Sequence, residues 1–226
     1  MRILVLTSNS LRHRYFVECL NARGYNVLAW GEEKGENFNN SNFNNDDEIL
    51  LKLHINQLNH SFRSVIGNDF KDVNIRLFKR GSFKDNSLLD KILKYNPNLI
   101  ITYGCGIVGK PIMEKFKNKI IGSHQGLPQY YRGSGSNFFA FLNEDCSKMG
   151  ISIHMLDYGI DTGSIISQIA PKPQISDTYY SFSAQLINET INLFINLIEK
   201  IKKDKNKLVV ITLNKKGKLF QRNDFT

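Results

Sequence analysis

The first thirty residues constrain the fold of this chain more than any other segment. Residues 2–7 form a short apolar run, and Ser10 follows as an N-cap residue for a helical segment that extends to Leu20. Gly24 interrupts the helical pattern, and residues 25–30 return to an apolar run of strand character. A strand, a helix and a second strand in this order predict a βαβ unit, and therefore a parallel sheet.

The rest of the chain continues this alternation. Residues 99–103 are apolar throughout, which is typical of a strand buried on both faces. The apolar positions of a long helix then step by four and three residues: Ile187, Ile191, Phe194, Ile198 and Ile201. We predict an α/β fold, a Rossmann-like and mostly parallel sheet with helices on both faces. Its core is residues 1–175, and residues 176–226 add the long helix and a small C-terminal β-hairpin, formed by residues 208–213 and 218–220.

Composition excludes several classes of function. No apolar run approaches the roughly 18 residues that would span a bilayer, so we expect a cytoplasmic protein without a membrane partner. The three cysteines are odd in number and widely spaced, which predicts neither a disulfide framework nor a metal site. The first strand is not followed by a Gly-x-Gly-x-x-Gly motif, so a dinucleotide cofactor is not indicated. The net charge of +9 suits anionic partners such as phosphates, but does not identify one.

The segment between Gly122 and Ser164 contains the candidates for acid–base chemistry. His124 ends a predicted strand before a Gly/Pro loop, where an imidazole can titrate near neutral pH and donate to an oxyanion. Asp161 lies in a loop whose glycines allow a close approach of backbone to a ligand. Each residue alone is more often structural. Together, a carboxylate and an imidazole are the minimum needed to take a proton from an attacking amine.

The order of the motifs resembles the folate-dependent formyltransferase family. That family includes glycinamide ribonucleotide formyltransferase, the catalytic domain of methionyl-tRNA formyltransferase and the sugar N-formyltransferases. Its pattern is Asn-x-His, a Leu/Pro loop, Tyr-Arg-Gly and a β-hairpin ending in Asp-x-Gly. His124, residues 131–133 and residues 161–163 match in order and approximate spacing. The resemblance covers most of residues 1–170.

The resemblance implies roles for individual residues. His124 would polarise a formyl carbonyl, and Asp161 would orient that ring and relay the proton lost by the amine. His154 would act behind Asp161, or would be a hydrogen-bonded strand histidine. The formyl donor would be 10-formyltetrahydrofolate. Its contacts would come from two loops, at Tyr103, Ile107, Val108, Asp157 and Gly163.

Gly122 departs from the family pattern, since the family has Asn at the position two residues before the histidine. Alternate strand residues share a face, so position 122 points into the same site as His124. Three explanations stay open. Asn137 or a water supplies the missing donor, the residue is an engineered or trapped substitution, or the chain binds ligands without turnover. Gly122→Asn is expected to raise the rate of formyl transfer.

Residues 130–138 and the short terminal hairpin are similar to the sugar N-formyltransferases. This resemblance implies a nucleotide-linked amino sugar as acceptor, with contacts from Arg12, His13, Arg132 and Asn137. Only about 25 residues follow the long helix, so we expect no tRNA-binding domain and no nucleic-acid partner. The turn after the first strand lacks the glycines of the glycinamide ribonucleotide enzymes. The rivals are a formyltetrahydrofolate hydrolase, disfavoured because the chain starts at its first strand, and a non-catalytic binding relative. A homodimer stays open.

Overall fold

The computed structural model describes residues 1–33, 45–66, 71, 73–204, 208–221 and 224. Its strands are β1 (Arg2–Thr7), β2 (Asn26–Glu32), β3 (Arg76–Phe78), β4 (Leu99–Thr102), β5 (Ile120–His124), β6 (Tyr131–Gly133), β7 (Ile151–Met155), β8 (Ile165–Ile169) and β9 (Lys218–Phe220). Its helices are α1 (Leu11–Ala22), α2 (Asn45–Ile66), α3 (Leu89–Tyr95), α4 (Lys110–Lys115), α5 (Ser136–Leu142) and α6 (Tyr179–Lys203), with a 3-10 turn at Cys146–Lys148.

The main sheet has the strand order β3-β2-β1-β4-β5-β7-β8. The first five strands in this order run parallel, and β7 and β8 are antiparallel additions at one edge. The predicted α/β fold with a mostly parallel sheet is therefore confirmed. Parallel strands place their carboxyl ends at one edge of a sheet, where ligands bind in open α/β folds.

Helices cover both faces of the sheet, as predicted. On one face, Ile3 of β1 packs with Phe16 of α1 and Phe194 of α6. On the other face, Leu4 packs with Ile112 of α4, in a cluster that α3 completes. Neighbouring β1 residues point to opposite sides, so an uninterrupted apolar strand serves two cores at once.

A small strand pair is present at the C-terminus, but its partners differ from those of the predicted hairpin. Strand β9 pairs in parallel with β6, and Ile211 forms a single antiparallel bridge with Ile165 of β8. The ring of Phe220 stacks on that of Phe139 at 4.0 Å between centroids. Aromatic packing and the open edge of β6 therefore outweigh local pairing between the two C-terminal segments.

Among the described residues, no helix is both long enough and apolar enough to cross a bilayer.

Candidate functional site

The candidate site is built around His124, the last residue of β5, at the carboxyl edge of the sheet. Its ring is buried, and Nδ1 lies 3.1 Å from Oδ2 of Asp161. Asp161 belongs to the connection between β7 and β8, which leaves β7 beside the start of β5, where Met155 pairs with Ile121, and folds back along β5 to His124. Two side chains separated by 37 positions are thus in contact at one cleft.

The Asp161 loop is held by strand β6. The backbone N–H of Gly133 donates to Oδ2 of Asp161 at 2.8 Å. Arg132 donates from one terminal nitrogen to the carbonyl of Ile160, and from Nε to the carbonyl of Gly217, each at 3.0 Å. Asp161 itself has a left-handed backbone with φ of 51°. These contacts fix the carboxylate in the cleft. Arg132 stabilises the loop by binding two backbone carbonyls.

His154 is a second imidazole on the same carboxylate. Its Nε2 lies 3.6 Å from Oδ1 of Asp161, which is longer than a hydrogen bond. Both ring nitrogens face oxygens that can only accept, and the proton is assigned to Nδ1 because the Met155 carbonyl, at 3.0 Å, is the nearer of the two. A neutral His154 therefore presents a lone pair at Nε2 to the site.

The electrostatics of the pair favour a charged acid beside a neutral ring. Burial alone would raise the pKa of Asp161, but the rings of His154 and His124, when they carry a proton toward the carboxylate, and the Gly133 N–H together outweigh it and lower the pKa to about 2. Burial lowers the pKa of His124, and the Asp161 carboxylate and the carbonyl of Tyr131 oppose that shift without reversing it. Near neutral pH the site therefore holds a carboxylate and an imidazole able to accept a proton.

Both ring nitrogens of His124 face atoms that can only accept hydrogen bonds. Nδ1 faces the Asp161 carboxylate, and Nε2 lies 3.1 Å from the carbonyl oxygen of Tyr131. A neutral ring carries one N–H and satisfies one of these two oxygens. A ring that gains a proton can therefore donate to both oxygens. A substrate oxygen can accept from Nε2–H only if it replaces the Tyr131 carbonyl as the partner of that nitrogen.

The space beside Gly122 is lined by Thr102, Leu156 and His154, and Thr102 is a residue that the sequence analysis missed. A Cβ at position 122 would lie 2.6 Å from Oγ1 of Thr102 and 3.6 Å from Cε1 of His154. Register explains this: Gly122 is paired with Thr102 of β4 on one side and with His154 of β7 on the other. Paired residues of adjacent strands point to the same face, so this signal appears only once the strand order is known.

The predicted acceptor residues fall into different environments. Asn137 is buried, and its amide exchanges two hydrogen bonds of 2.9 Å with the backbone of Gly150. This amide therefore ties α5 to β7, and it is not directed at the space beside Gly122. Arg12 is exposed, whereas His13 is buried, with Nδ1 2.8 Å from the hydroxyl of Ser10 at the start of α1. Both lie at the β1 end of the sheet edge.

The predicted folate loops lie next to each other. Tyr103 and Val108 have buried side chains, while Ile107 between them is exposed. Lys110 of α4 lies 5.5 Å from the ring centroid of Tyr158, so the loop after β4 adjoins the loop between β7 and β8. These two loops can border a flat, partly apolar group, and the exposed Ile107 and Tyr158 suit a heteroaromatic ring.

Two other loop residues predicted to contact folate have structural contacts. The carboxylate of Asp157 accepts from the Thr162 hydroxyl at 2.7 Å and from the Gly159 N–H at 3.1 Å. Gly163 lies against the carbonyl of Met155 without room for a Cβ. Both therefore shape the turn that carries Asp161. Within the described ranges, no group of three or more His, Cys, Asp or Glu side chains is arranged to hold a metal ion.

Comparison with known proteins identifies relatives of this arrangement. A family model described as formyl transferase matches residues 59–198. Methionyl-tRNA formyltransferase from Fusobacterium nucleatum is 30% identical over 131 residues, which cover 58% of this chain and 42% of that protein. The chain thus spans about two fifths of the length of the curated relatives it matches.

Solved structures share the fold at lower sequence identity. A sugar N-formyltransferase from Shewanella sp. has a TM-score of 0.65 at 16% identity, covering 100% of this chain and 78% of that one. The formyltransferase PseJ from Anoxybacillus kamchatkensis has a TM-score of 0.56 at 21% identity, covering 99% and 87%. The latter was solved in complex with UDP-4,6-dideoxy-4-formamido-L-AltNAc and tetrahydrofolate.

Proposed function

The chain belongs to the formyl transferase family, and from that premise we propose that it moves a formyl group from 10-formyltetrahydrofolate to the amine of a nucleotide-linked amino sugar. The observation that carries this proposal is the contact of Asp161 with His124 at 3.1 Å, with His154 facing the second carboxylate oxygen. A buried carboxylate between two imidazoles is suited to receive and return one proton.

The reaction needs one proton transfer and one charge to be stabilised. The amine lone pair attacks the formyl carbon, a C–N bond forms, and the carbonyl π pair becomes an oxyanion. The new ammonium loses a proton to the site. When the C=O bond reforms, the bond from carbon to N10 of the donor breaks, and N10 receives a proton. The products are tetrahydrofolate and the formamide, and N10 takes up one proton for the one that the ammonium releases.

Different residues accept the proton and stabilise the oxyanion. His154 has a lone pair at Nε2 beside Asp161, so this pair accepts the ammonium proton. His124 donates from Nε2 to the formyl oxygen after exchanging the Tyr131 carbonyl for it. Catalytic hydrogen bonds often shorten only in the substrate complex, which fits the 3.6 Å separation of His154 from Asp161.

The donor is proposed to bind between the loop after β4 and the loop that contains Asp161. The exposed side chains of Ile107, Tyr158 and Ile160 provide apolar surface there. Lys110 adds a positive charge beside Tyr158, which suits an anionic folate. A ring in this position brings N10 and its formyl group next to the imidazoles.

An amino sugar is the proposed acceptor for two reasons. Relatives of the same fold match nearly the whole chain, and one of them was solved with a UDP-linked formamido sugar. In addition, Arg12 is an exposed residue at the start of α1, where its guanidinium donates from Nε to His13 at 3.3 Å and can contact a diphosphate through its terminal nitrogens. The curated tRNA-formylating relatives make tRNA the alternative acceptor.

A single assay separates the candidates. The chain is incubated with 10-formyltetrahydrofolate and one acceptor at a time: UDP- and dTDP-linked amino sugars, glycinamide ribonucleotide or methionyl-tRNA. We expect tetrahydrofolate to be released only with a nucleotide-linked amino sugar. Release with methionyl-tRNA alone contradicts the proposed acceptor, and release without any acceptor indicates a hydrolase. Binding of the donor without release under any condition contradicts catalysis.

A further inference from the structure

The space beside Gly122 contains a hydroxyl with little to bind. Thr102 is buried, with 7% of its surface exposed, yet its Oγ1 has a single described contact, 3.5 Å from the carbonyl of Ile121. This distance is at the limit of a hydrogen bond. Buried hydroxyls in proteins are normally well paired, and a poorly paired one needs a reason.

The other buried threonines with a described hydroxyl contact show the usual arrangement. The hydroxyl of Thr190 donates to the carbonyl of Leu186 at 2.8 Å and accepts from Gln125 at 2.8 Å. The hydroxyl of Thr7 donates to the carbonyl of Tyr103 at 2.6 Å. Thr102 therefore differs from its counterparts because its one O–H is held only by a contact of 3.5 Å to the Ile121 carbonyl and can be redirected to another acceptor.

The hydroxyl of Thr102 faces the reacting groups and not the core. Thr102, Gly122 and His154 form one row across three strands and share one face of the sheet. His124 lies two residues beyond Gly122 on that face. Because Gly122 has no side chain, nothing from β5 separates the hydroxyl from the imidazoles.

We infer that Thr102 is a catalytic residue that donates a hydrogen bond to the formyl oxygen, from the space that Gly122 leaves open. This inference rests on the proposed formyl transfer and adds a residue to it. As the amine adds to carbon, charge grows on the oxygen, and a donor already in place stabilises it without reorganisation. Thr102 and Gly122 then act as a matched pair, since the hydroxyl occupies the volume that any side chain at 122 would enter.

The pairing changes the expectation for Gly122→Asn. An asparagine at 122 would have its Cβ 2.6 Å from the Thr102 hydroxyl, so it displaces the donor that is already present. We therefore expect the single substitution to lower turnover. The combination Gly122→Asn with Thr102→Ala removes the conflict and supplies a new amide donor, so it should turn over faster than either single variant.

The test measures kcat, KM for the formyl donor and the midpoint of urea unfolding for Thr102→Val, Thr102→Ser and the matched control Thr190→Val. Thr102→Val should lower kcat by about 10²-fold with little change in KM, since the lost interaction forms in the transition state. Its unfolding midpoint should not fall. Thr102→Ser should keep most of the turnover. Thr190→Val should show the reverse pattern, a lower midpoint with near-normal kcat.

The outcomes separate this inference from the proposed function. If the unsubstituted chain transfers formyl and Thr102→Val matches its kcat, the inference is overturned and the function stands. A fall in the unfolding midpoint of Thr102→Val equal to that of Thr190→Val also overturns it, because the hydroxyl then has a structural role. If the unsubstituted chain transfers no formyl group to any acceptor, both proposals fail together.

Discussion

The two ends of the sheet edge bury ionisable groups in different ways. At the β1–β2 end, Oε1 of Glu32 accepts from the N–H of Gly81 at 2.9 Å and from the N–H of Phe83 at 3.2 Å. At the β5–β7 end, Asp161 faces two imidazoles, one of them 3.6 Å away. The first carboxylate accepts from backbone donors that are fixed, whereas the second lies among groups that gain and lose protons.

This difference indicates how to distinguish a structural buried charge from a chemical one. Both carboxylates are largely shielded from solvent, since Glu32 is 6% exposed and the Asp161 side chain is 18% exposed. What differs is whether the partner can change its protonation state. A backbone N–H cannot, so Glu32 organises the loop at residues 79–83. The His124 ring can, so the Asp161 cluster is able to pass on a proton.

The largest expected effect is on catalysis at the β5–β7 end. Asp161→Asn keeps an oxygen to accept from the Gly133 N–H, so the loop should stay folded. It removes the negative charge that orients and stabilises protonated histidine, and kcat should fall by about 10³-fold, within the range of acid–base catalysis. Steady-state release of tetrahydrofolate measures this. A tenfold loss or less would show that the carboxylate only shapes the loop.

The corresponding effect at the β1–β2 end should be on stability. Glu32→Ala leaves the N–H groups of Gly81 and Phe83 without their acceptor, which costs about 1–3 kcal/mol for a buried unsatisfied group. Urea unfolding measures the loss. Glu33→Ala is the matched control, because Glu33 is adjacent and exposed. Equal stabilities for the two variants would contradict the structural role of Glu32.

Short-range sequence patterns were enough to predict several elements of the fold. Strand β1 and helix α1 follow from an apolar run and from Ser10 as N-cap, both readable within a few residues. The apolar positions Leu88, Leu89, Ile92 and Leu93 predict a helix over residues 85–95, but α3 begins at Leu89. The reason is also local: the Asp85 carboxylate accepts from the N–H of Ser87 at 2.8 Å, and this turn competes with a helix start.

Contacts between residues that are distant in the sequence could not be predicted from such short-range patterns. Asn137 lies in a motif that suggested substrate binding, but Gly150, 13 positions away, takes up its amide. In the sequence, Thr102 is part of a largely apolar strand and has no distinguishing feature. Only the register between β4 and β5 shows that it lies beside Gly122. The contact between His124 and Asp161 could be predicted from the sequence only because the order of the motifs resembles that of a known family.

Acid should affect the β5–β7 end in a definite direction. The pKa of Asp161 is lowered from 3.8 to about 2, so its stabilising contribution is complete above the unfolded value and is lost as pH falls toward 2. The lowered pKa of His124 acts in the same direction, with stability lost as pH falls below about 6.5. Asp161→Asn removes the carboxylate that opposes the fall in the His124 pKa, so between pH 6.5 and pH 4 its stability should fall more steeply than that of the unsubstituted chain, by about 1 kcal/mol. Urea unfolding between pH 7 and pH 3 measures it, and parallel curves for the two proteins would contradict the assignment.

The smallest expected effect concerns Arg132, which joins the loop of Asp161 to the C-terminal segment through the carbonyls of Ile160 and Gly217. Arg132→Met keeps most of the apolar stem but removes both hydrogen bonds, so the loop should sample more positions and kcat/KM should fall about fivefold, on the order of 1 kcal/mol. Because the loop moves as a unit with Asp161, the loss should appear in kcat as well as in KM. Lys218→Met is the matched control, since it removes a neighbouring cation from β9 without touching either carbonyl. A loss of 10²-fold or more would mean that the guanidinium contacts the substrate itself, and the acceptor phosphates would then belong at the β6 side of the cleft.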